Sequence, residues 1–177
     1  RFRWIVRAVS RKTFAEVGVD SPSVSPGPSS RPALSSCSIV FQAILKKIQS
    51  GYISAKIALC ITNNPNAGVI QLAENNNIPA RVFIPKEFSD AKHFNDAILE
   101  DLETNRVEYI ILAGYLKLIG NQIVERYANR IINIHPALLP AFGGKGMYGH
   151  HVRESVFNRG VKLSGATIHL VNTEYDA

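Results

Sequence analysis

Short apolar runs alternate with helical patterns along most of this chain, and this alternation limits its possible folds more than any other feature. The first helical pattern consists of Phe41, Ile44, Leu45 and Ile48, and Gly51 follows it as a C-terminal stop. Strands that alternate with helices imply right-handed crossovers and a mainly parallel sheet. The sequence therefore predicts an α/β fold.

The alternation continues to the end of the chain. Strands are predicted at short apolar runs, in residues 56–62, 80–84, 109–112, 130–134 and 166–171. Helices are predicted between them, in residues 67–74, 89–103, 121–127 and 152–158. In open sheets of this kind, ligands bind outside the carboxyl ends of the strands, so we expect the functional residues there.

Residues 1–36 differ in composition from the rest of the chain. They are rich in Arg, Ser and Pro, with six basic residues against two acidic ones and no sustained period. We expect residues 1–36 to have no fold of their own, so the domain is predicted to span residues 37–177. Such a composition is also typical of an organelle transit segment, although the chain begins with Arg1 rather than Met and therefore resembles a fragment.

Charge and cysteine content exclude several classes of protein. The segment 1–36 accounts for +4 of the formal net charge of +6, so the predicted domain has no basic excess that would indicate nucleic-acid binding. Cys37 and Cys60 form neither a zinc pattern nor a disulfide framework, which favours reducing, cytoplasmic surroundings. No run approaches the roughly 20 apolar residues that cross a bilayer. We expect no metal and no membrane role.

Two polar pairs lie at or near predicted strand ends. Asn133 and His135 are two residues apart, so extended geometry directs both side chains to the same side. An amide donor beside an imidazole can polarise a carbonyl and move a proton, although a His at a strand end is more often a satisfied polar residue than a catalyst. Thr167 and His169 share a face in the same way, either as a hydrogen-bonding pair or as the floor of a pocket.

Four segments, in this order, closely resemble the phosphoribosylglycinamide formyltransferase family. They are Leu-Ala-Gly-Tyr-Leu-Lys-Leu-Ile at 112–119, Ile-Asn-Ile-His-Pro-Ala-Leu-Leu-Pro at 132–140, Gly-Ala-Thr-Ile-His at 165–169 and Glu-Tyr-Asp at 174–176. The resemblance runs from about Phe41 to Ala177. It implies a Rossmann-like formyltransferase fold with helices on both faces of the sheet, and transfer of a formyl group from 10-formyltetrahydrofolate to the amine of glycinamide ribonucleotide.

The resemblance also implies roles for particular residues. Asn133 would hydrogen-bond the formyl oxygen, His135 would donate a proton and stabilise the oxyanion, and Asp176 would raise the imidazole pKa and order a water. The folate would be held by Asn133 together with Lys92, Leu116, Lys117, Leu118 and Ile119. The implied partners are these small molecules alone, with no metal, and the implied assembly is a monomer or weak homodimer.

The chain departs from the family pattern at both ends. The family binds the substrate phosphate with a Ser-Gly-x-Gly-Ser/Thr-Asn loop, and the matching stretch here lacks both glycines and the Asn; the degenerate phosphate-binding positions are Ser38, Ile39 and Val40. The abrupt change before Phe41 suggests a frame shift or a wrong exon. The chain also stops at Ala177, directly after Asp176, where the family continues. We therefore expect impaired activity from this polypeptide.

Two alternatives to the transferase remain open. Formyltetrahydrofolate hydrolase shares the Asn-x-His pair, although Pro136 followed by Ala-Leu-Leu-Pro favours the transferase. A non-catalytic remnant that binds folate or nothing would be consistent with the lost phosphate loop. The expected location is cytoplasmic, or plastidic if the N-terminal segment is a transit peptide.

Overall fold

The computed structural model describes residues 3–8, 36–114, 119–144, 147 and 149–173, with only the backbone of 3–8, 36, 37, 149 and 150. Within these residues, six strands form one sheet in the order β3-β2-β1-β4-β5-β6. The strands are β1 (Arg3–Ala8), β2 (Lys56–Thr62), β3 (Ala80–Val82), β4 (Tyr109–Leu112), β5 (Ile131–His135) and β6 (Thr167–Leu170). The helices are α1 (Ser36–Gln49), α2 (Gly68–Glu74), α3 (Ala91–Thr104), α4 (Asn121–Arg126) and α5 (Gly149–Asn158), with a 3-10 turn at Pro85–Glu87.

Four of the six strands run in the same direction. β2 pairs with β3 and β4 with β5 in parallel, and β1 is antiparallel to both β2 and β4, so β2 to β5 share one direction. β6 is antiparallel to β5 at the edge of the sheet. The predicted α/β class is confirmed, and its mainly parallel sheet carries two strands of opposite direction.

The helices and strands predicted after residue 36 agree with the structure to within a few residues at each end, apart from the start of α1. That helix begins at Ser36, five residues before the first residue of its apolar pattern at Phe41. No Gly or Pro interrupts this stretch, so the helix extends through it without a break. Gly51 has a φ of 75°, as a C-terminal helix stop requires.

The expectation that residues 1–36 contain no ordered element is wrong for Arg3–Ala8. This segment forms β1 in the centre of the sheet, where Trp4 lies opposite Ile61 and Leu112. β2 and β4 are both apolar strands that need a hydrogen-bonding partner on this side, and Trp-Ile-Val is rich in residues that favour strands. The predicted domain boundary at residues 36–37 stays a prediction.

Helices cover both faces of the sheet, as expected. Leu59 and Ile61 of β2 pack in one buried cluster, together with residues of α3, of α4 and of the position directly after α4: Ile98, Leu102, Ile123, Val124 and Tyr127. Cys60 points to the other face and packs with residues of α1 and α2: Phe41, Val69 and Ala73. The alternating side chains of a central strand therefore join two helical layers into one core.

Within the part of the chain that the structure describes, no helix is both long enough and apolar enough to span a membrane.

The central position of β1 can be tested with a proline. Because a strand with partners on both sides uses every backbone N–H, Ile5→Pro should remove a ladder hydrogen bond and lower the free energy of unfolding by about 1–3 kcal/mol. Urea unfolding followed by circular dichroism measures this, with Ile5→Val as the matched control. Equal midpoints for the two variants would show that β1 is not a central strand.

Candidate active site

The candidate site lies at the carboxyl end of β5. Asn133 and His135 occupy alternate positions of this strand, and β6 runs antiparallel beside it. In the register of the two strands, Asn133 lies opposite His169 and His135 lies opposite Thr167. Directly opposite residues project to the same face, so the strand pair gathers four polar side chains on one face of the sheet edge.

His135 is almost completely enclosed by protein. Only 4% of the residue is exposed, and its Nε2 atom donates a hydrogen bond to the main-chain carbonyl oxygen of Phe142 at 2.9 Å. Phe142 lies in the loop that follows β5 and has a φ of 59°. The loop therefore folds back over the imidazole and provides it with a fixed acceptor.

Asn133 has a side-chain partner on the neighbouring strand. Its Nδ2 atom lies 3.0 Å from Nε2 of His169, so the amide donates to that ring nitrogen. The amide keeps a second N–H, because the side chain of Asn carries two donors on Nδ2. The sequence offers His169 only as a neighbour of Thr167; its contact with Asn133 depends on the antiparallel register of β5 and β6.

Thr167 holds the loop after β5 against β6. Its hydroxyl donates to the carbonyl oxygen of Ala137 at 2.7 Å and accepts from the amide of Leu139 at 2.9 Å. One side chain thus satisfies two backbone groups of the segment that leaves the site. Thr167 is therefore a structural support for the loop directly after His135.

Lys92 lies near the start of α3, where three charged or polar side chains form a chain of contacts. Its ammonium donates to Asp96 at 2.7 Å, and this hydrogen bond raises the pKa of Lys92 and lowers the pKa of Asp96. Gln122 of α4 also donates to Asp96, at 2.8 Å. The side chain of Lys92 is 75% exposed, so it is accessible to an anionic ligand.

The predicted folate-binding stretch is described only at its end. Leu116, Lys117 and Leu118 lie outside the described residues, whereas Ile119 is 6% exposed and packs in the α3–α4 side of the core. Gly120 follows, and a Cβ atom there would lie 2.5 Å from the carboxamide of Asn95 on α3. Ile119 is therefore anchored in the core, and Gly120 lies tightly against α3 directly before α4 begins.

Ser38, Ile39 and Val40 lie in the first turns of α1. Ser38 is buried, and Ile39 is 55% exposed. In a helix that starts at Ser36, the amide of Val40 bonds to the carbonyl four residues earlier and is not directed at a ligand. This backbone differs from a glycine-rich phosphate loop, and the phosphate-binding role of the three residues stays a prediction.

The remaining candidate, Asp176, lies outside the described residues. In the described part of the chain, no group of three or more His, Cys, Asp or Glu side chains could hold a metal ion. The structure thus brings Asn133 and His135 together on β5, with Lys92 on α3 and Ile119 shortly before α4.

The structure combines an α/β sheet with an Asn-x-His pair at the end of a strand. Comparisons of sequence and structure with known proteins identify the family to which such a chain belongs. Residues 33–177 match the formyl transferase family, and the chain belongs to that family. The chain is 42% identical over 137 residues to a chloroplastic phosphoribosylglycinamide formyltransferase of Arabidopsis thaliana, covering 77% of this chain and 47% of that protein. It is 40% identical to phosphoribosylglycinamide formyltransferase of Bacillus subtilis, covering 77% of this chain and 67% of the relative.

Solved structures agree with this relationship. Glycinamide ribonucleotide transformylase 1 from Geobacillus kaustophilus superposes with a TM-score of 0.71 at 38% identity, over 77% of this chain and 70% of that one. A formyltetrahydrofolate deformylase from Pseudomonas syringae superposes with a TM-score of 0.67 at 28% identity, over 77% of this chain and 43% of that one. The resemblance read from the four motifs is confirmed, and the chain spans about half to two thirds of these curated relatives.

The support that Thr167 gives to the loop can be tested by removing its hydroxyl. Thr167→Val should leave the carbonyl of Ala137 and the amide of Leu139 without this partner and lower the free energy of unfolding by about 1–2 kcal/mol. Hydrogen exchange at Leu139 should become faster, while Thr167→Ser should retain its protection. Unchanged exchange in Thr167→Val would contradict the role of the hydroxyl.

The contact between Lys92 and Asp96 predicts a pH effect with a definite sign. The pKa of Asp96 is lowered, so its favourable interaction is complete above the carboxyl pKa of the unfolded chain and is lost as pH falls through the lowered folded value. Lys92→Met should move the pKa of Asp96 upward, as measured by NMR titration of its carboxyl carbon. An unchanged titration midpoint would show that the ion pair does not persist in solution.

Proposed function

We propose that this chain transfers a formyl group from 10-formyltetrahydrofolate to the amine of 5-phosphoribosylglycinamide, a step of purine synthesis. The observation that carries the proposal is the pairing of Asn133 with a buried His135 on one face at the carboxyl end of β5. Membership of the formyl transferase family supports it, as does the similarity to phosphoribosylglycinamide formyltransferase of Bacillus subtilis.

The chemistry of the proposed reaction needs a donor and a proton carrier. The substrate amine attacks the formyl carbon, forms a new C–N bond and gives a tetrahedral intermediate with negative charge on oxygen. The bond from carbon to N10 of the folate then breaks, the amine loses a proton and N10 gains one. The second N–H of Asn133 can donate to the developing oxyanion, and His135 can supply or accept the proton.

Burial makes this pair more effective. His135 is 4% exposed, so its charge and hydrogen bonds act in a region from which most water is excluded. We propose that Asp176 faces the imidazole and orders a water for proton transfer.

For the folate we propose the edge of the sheet beside α3 and α4. Main-chain groups of Leu116, Lys117, Leu118 and Ile119 would bind the pterin ring. Lys92 would meet the acidic part of the folate, because its ammonium is exposed and its present partner, Asp96, is an anion of the same kind. Binding would then exchange one carboxylate partner of Lys92 for another.

For the substrate phosphate we propose the start of α1, at Ser38, Ile39 and Val40. The helical backbone there offers fewer free amides than a glycine-rich loop, because helix hydrogen bonds use those beyond the first turn. We therefore expect a high KM for the ribonucleotide. The same feature favours a second candidate, hydrolysis of 10-formyltetrahydrofolate, in which water replaces the phosphorylated amine as nucleophile.

Mutation of His135 tests the proposed function. In the full chain, His135→Ala should lower kcat about 100-fold or more, because general acid–base catalysis typically contributes that much. His151→Ala is the matched control, since His151 is an exposed histidine of α5. Unchanged turnover in His135→Ala would contradict the catalytic assignment.

The same assay separates the candidate functions. Tetrahydrofolate release that requires glycinamide ribonucleotide would support the transferase, whereas release of formate without that substrate would support the hydrolase. Binding of a folate analogue without either reaction would identify a non-catalytic remnant.

We also propose that the partners are these small molecules and that the chain is a monomer or weak homodimer. The location is proposed as cytoplasmic, with the plastid as the alternative that the chloroplastic name of the Arabidopsis relative supports.

A further inference from the structure

His135 contacts a backbone carbonyl that determines which of its two ring nitrogens carries a proton. A carbonyl oxygen can only accept a hydrogen bond, so the 2.9 Å contact with Phe142 requires a proton on Nε2 of His135. A neutral imidazole carries one N–H, so Nδ1 is then the basic nitrogen of the ring. Because the residue is 4% exposed, water has little access to the ring to move the proton from one nitrogen to the other.

The acceptor depends on an unusual backbone conformation. Phe142 has a φ of 59°, in the left-handed region that bulky residues rarely adopt, although glycine stands at the next two positions. Such a conformation persists only when surrounding contacts stabilise it. The amide of Gly143 donates to the carbonyl of Pro140 at 3.3 Å, which closes the turn that contains Phe142.

The side chain of Phe142 has a partner at the end of α5. The guanidinium carbon of Arg159 lies 5.3 Å from the centre of the ring, within the range of a cation–π contact. The amide of Arg159 donates to Ser155, and Gly160, with a φ of 63°, follows directly. The end of the helix therefore holds the backbone of Arg159 beside the ring.

We propose that Arg159 is a positioning residue for His135, acting through the carbonyl of Phe142, and that Nδ1 of His135 is the atom that gives or takes the catalytic proton. Arg159 stabilises the ring of Phe142, and the left-handed backbone of Phe142 directs its carbonyl at Nε2. When the imidazole is charged, the proton on Nδ1 leaves and the proton on Nε2 stays with the carbonyl. The role of Nδ1 in the reaction rests on the proposed function.

The test measures the protonation of the His135 ring directly, in the full chain, by nitrogen NMR of the imidazole. The wild-type protein should carry the neutral-ring proton on Nε2. Arg159→Leu should increase the Nδ1–H form and lower kcat by about two- to five-fold with little change in KM, the size expected for one exposed cation–π contact. Arg159→Lys should restore part of both effects, because the positive charge remains.

Two further variants make the test specific. Lys162→Leu removes an exposed cation three residues away and should change neither the ring nor kcat. Phe142→Leu keeps an apolar side chain but lacks the aromatic face, so it should reproduce the effect of Arg159→Leu by an independent route. Phe142→Leu also allows the positioning role of Arg159 to be tested if Arg159→Leu fails to fold.

The possible outcomes separate the proposal from the function beneath it. An Nδ1–H ring in the wild type would overturn the role of the carbonyl, and an unchanged ring in both Arg159→Leu and Phe142→Leu would overturn the positioning role. A wild-type chain without formyl transfer would remove the proposed function and the catalytic role of Nδ1. The NMR result would still decide whether Arg159 orients His135.

Discussion

The sheet depends on the backbone hydrogen bonds in the position between β2 and β4. Both strands are apolar and lie in the centre of the fold, so an empty position would leave two rows of N–H and C=O groups without partners. β1 occupies this position in the antiparallel direction and pairs with both neighbours. Backbone groups can pair with a neighbouring strand that runs in either direction. The antiparallel β1 therefore fixes the positions of β4, β5 and His135 relative to β2.

The elements from β2 to β6 were predictable because each is an apolar run or an amphipathic pattern bounded by turn residues. Lys56–Thr62 and Tyr109–Leu112 agree with the predicted strands at both ends. β1 was missed because its order comes from pairing with two distant strands, while the composition around it is that of an unstructured segment. The antiparallel direction of β6 could not be predicted either, because the hydrophobic pattern contains no information about strand direction.

The candidate site shows the same division. Period two along one strand is enough to place Asn133 beside His135, since alternate residues project to one side. The contact of Asn133 with His169 depends on cross-strand register, and the contact of His135 with Phe142 depends on a left-handed residue in a loop. Neither leaves a local pattern in the sequence. The residues that orient the pair were therefore visible only in three dimensions.

The reversed direction of β1 changes which edge of the sheet receives its first residue. Arg3 lies opposite Thr62, at the carboxyl end of β2, and Ala8 lies opposite Lys56, at its beginning. The carboxyl ends of β2, β4 and β5 share one edge, the one that carries His135. A tag or fusion partner joined directly before Arg3 would therefore be attached on the side of the candidate active site, whereas a parallel strand in the same position would attach it on the far side.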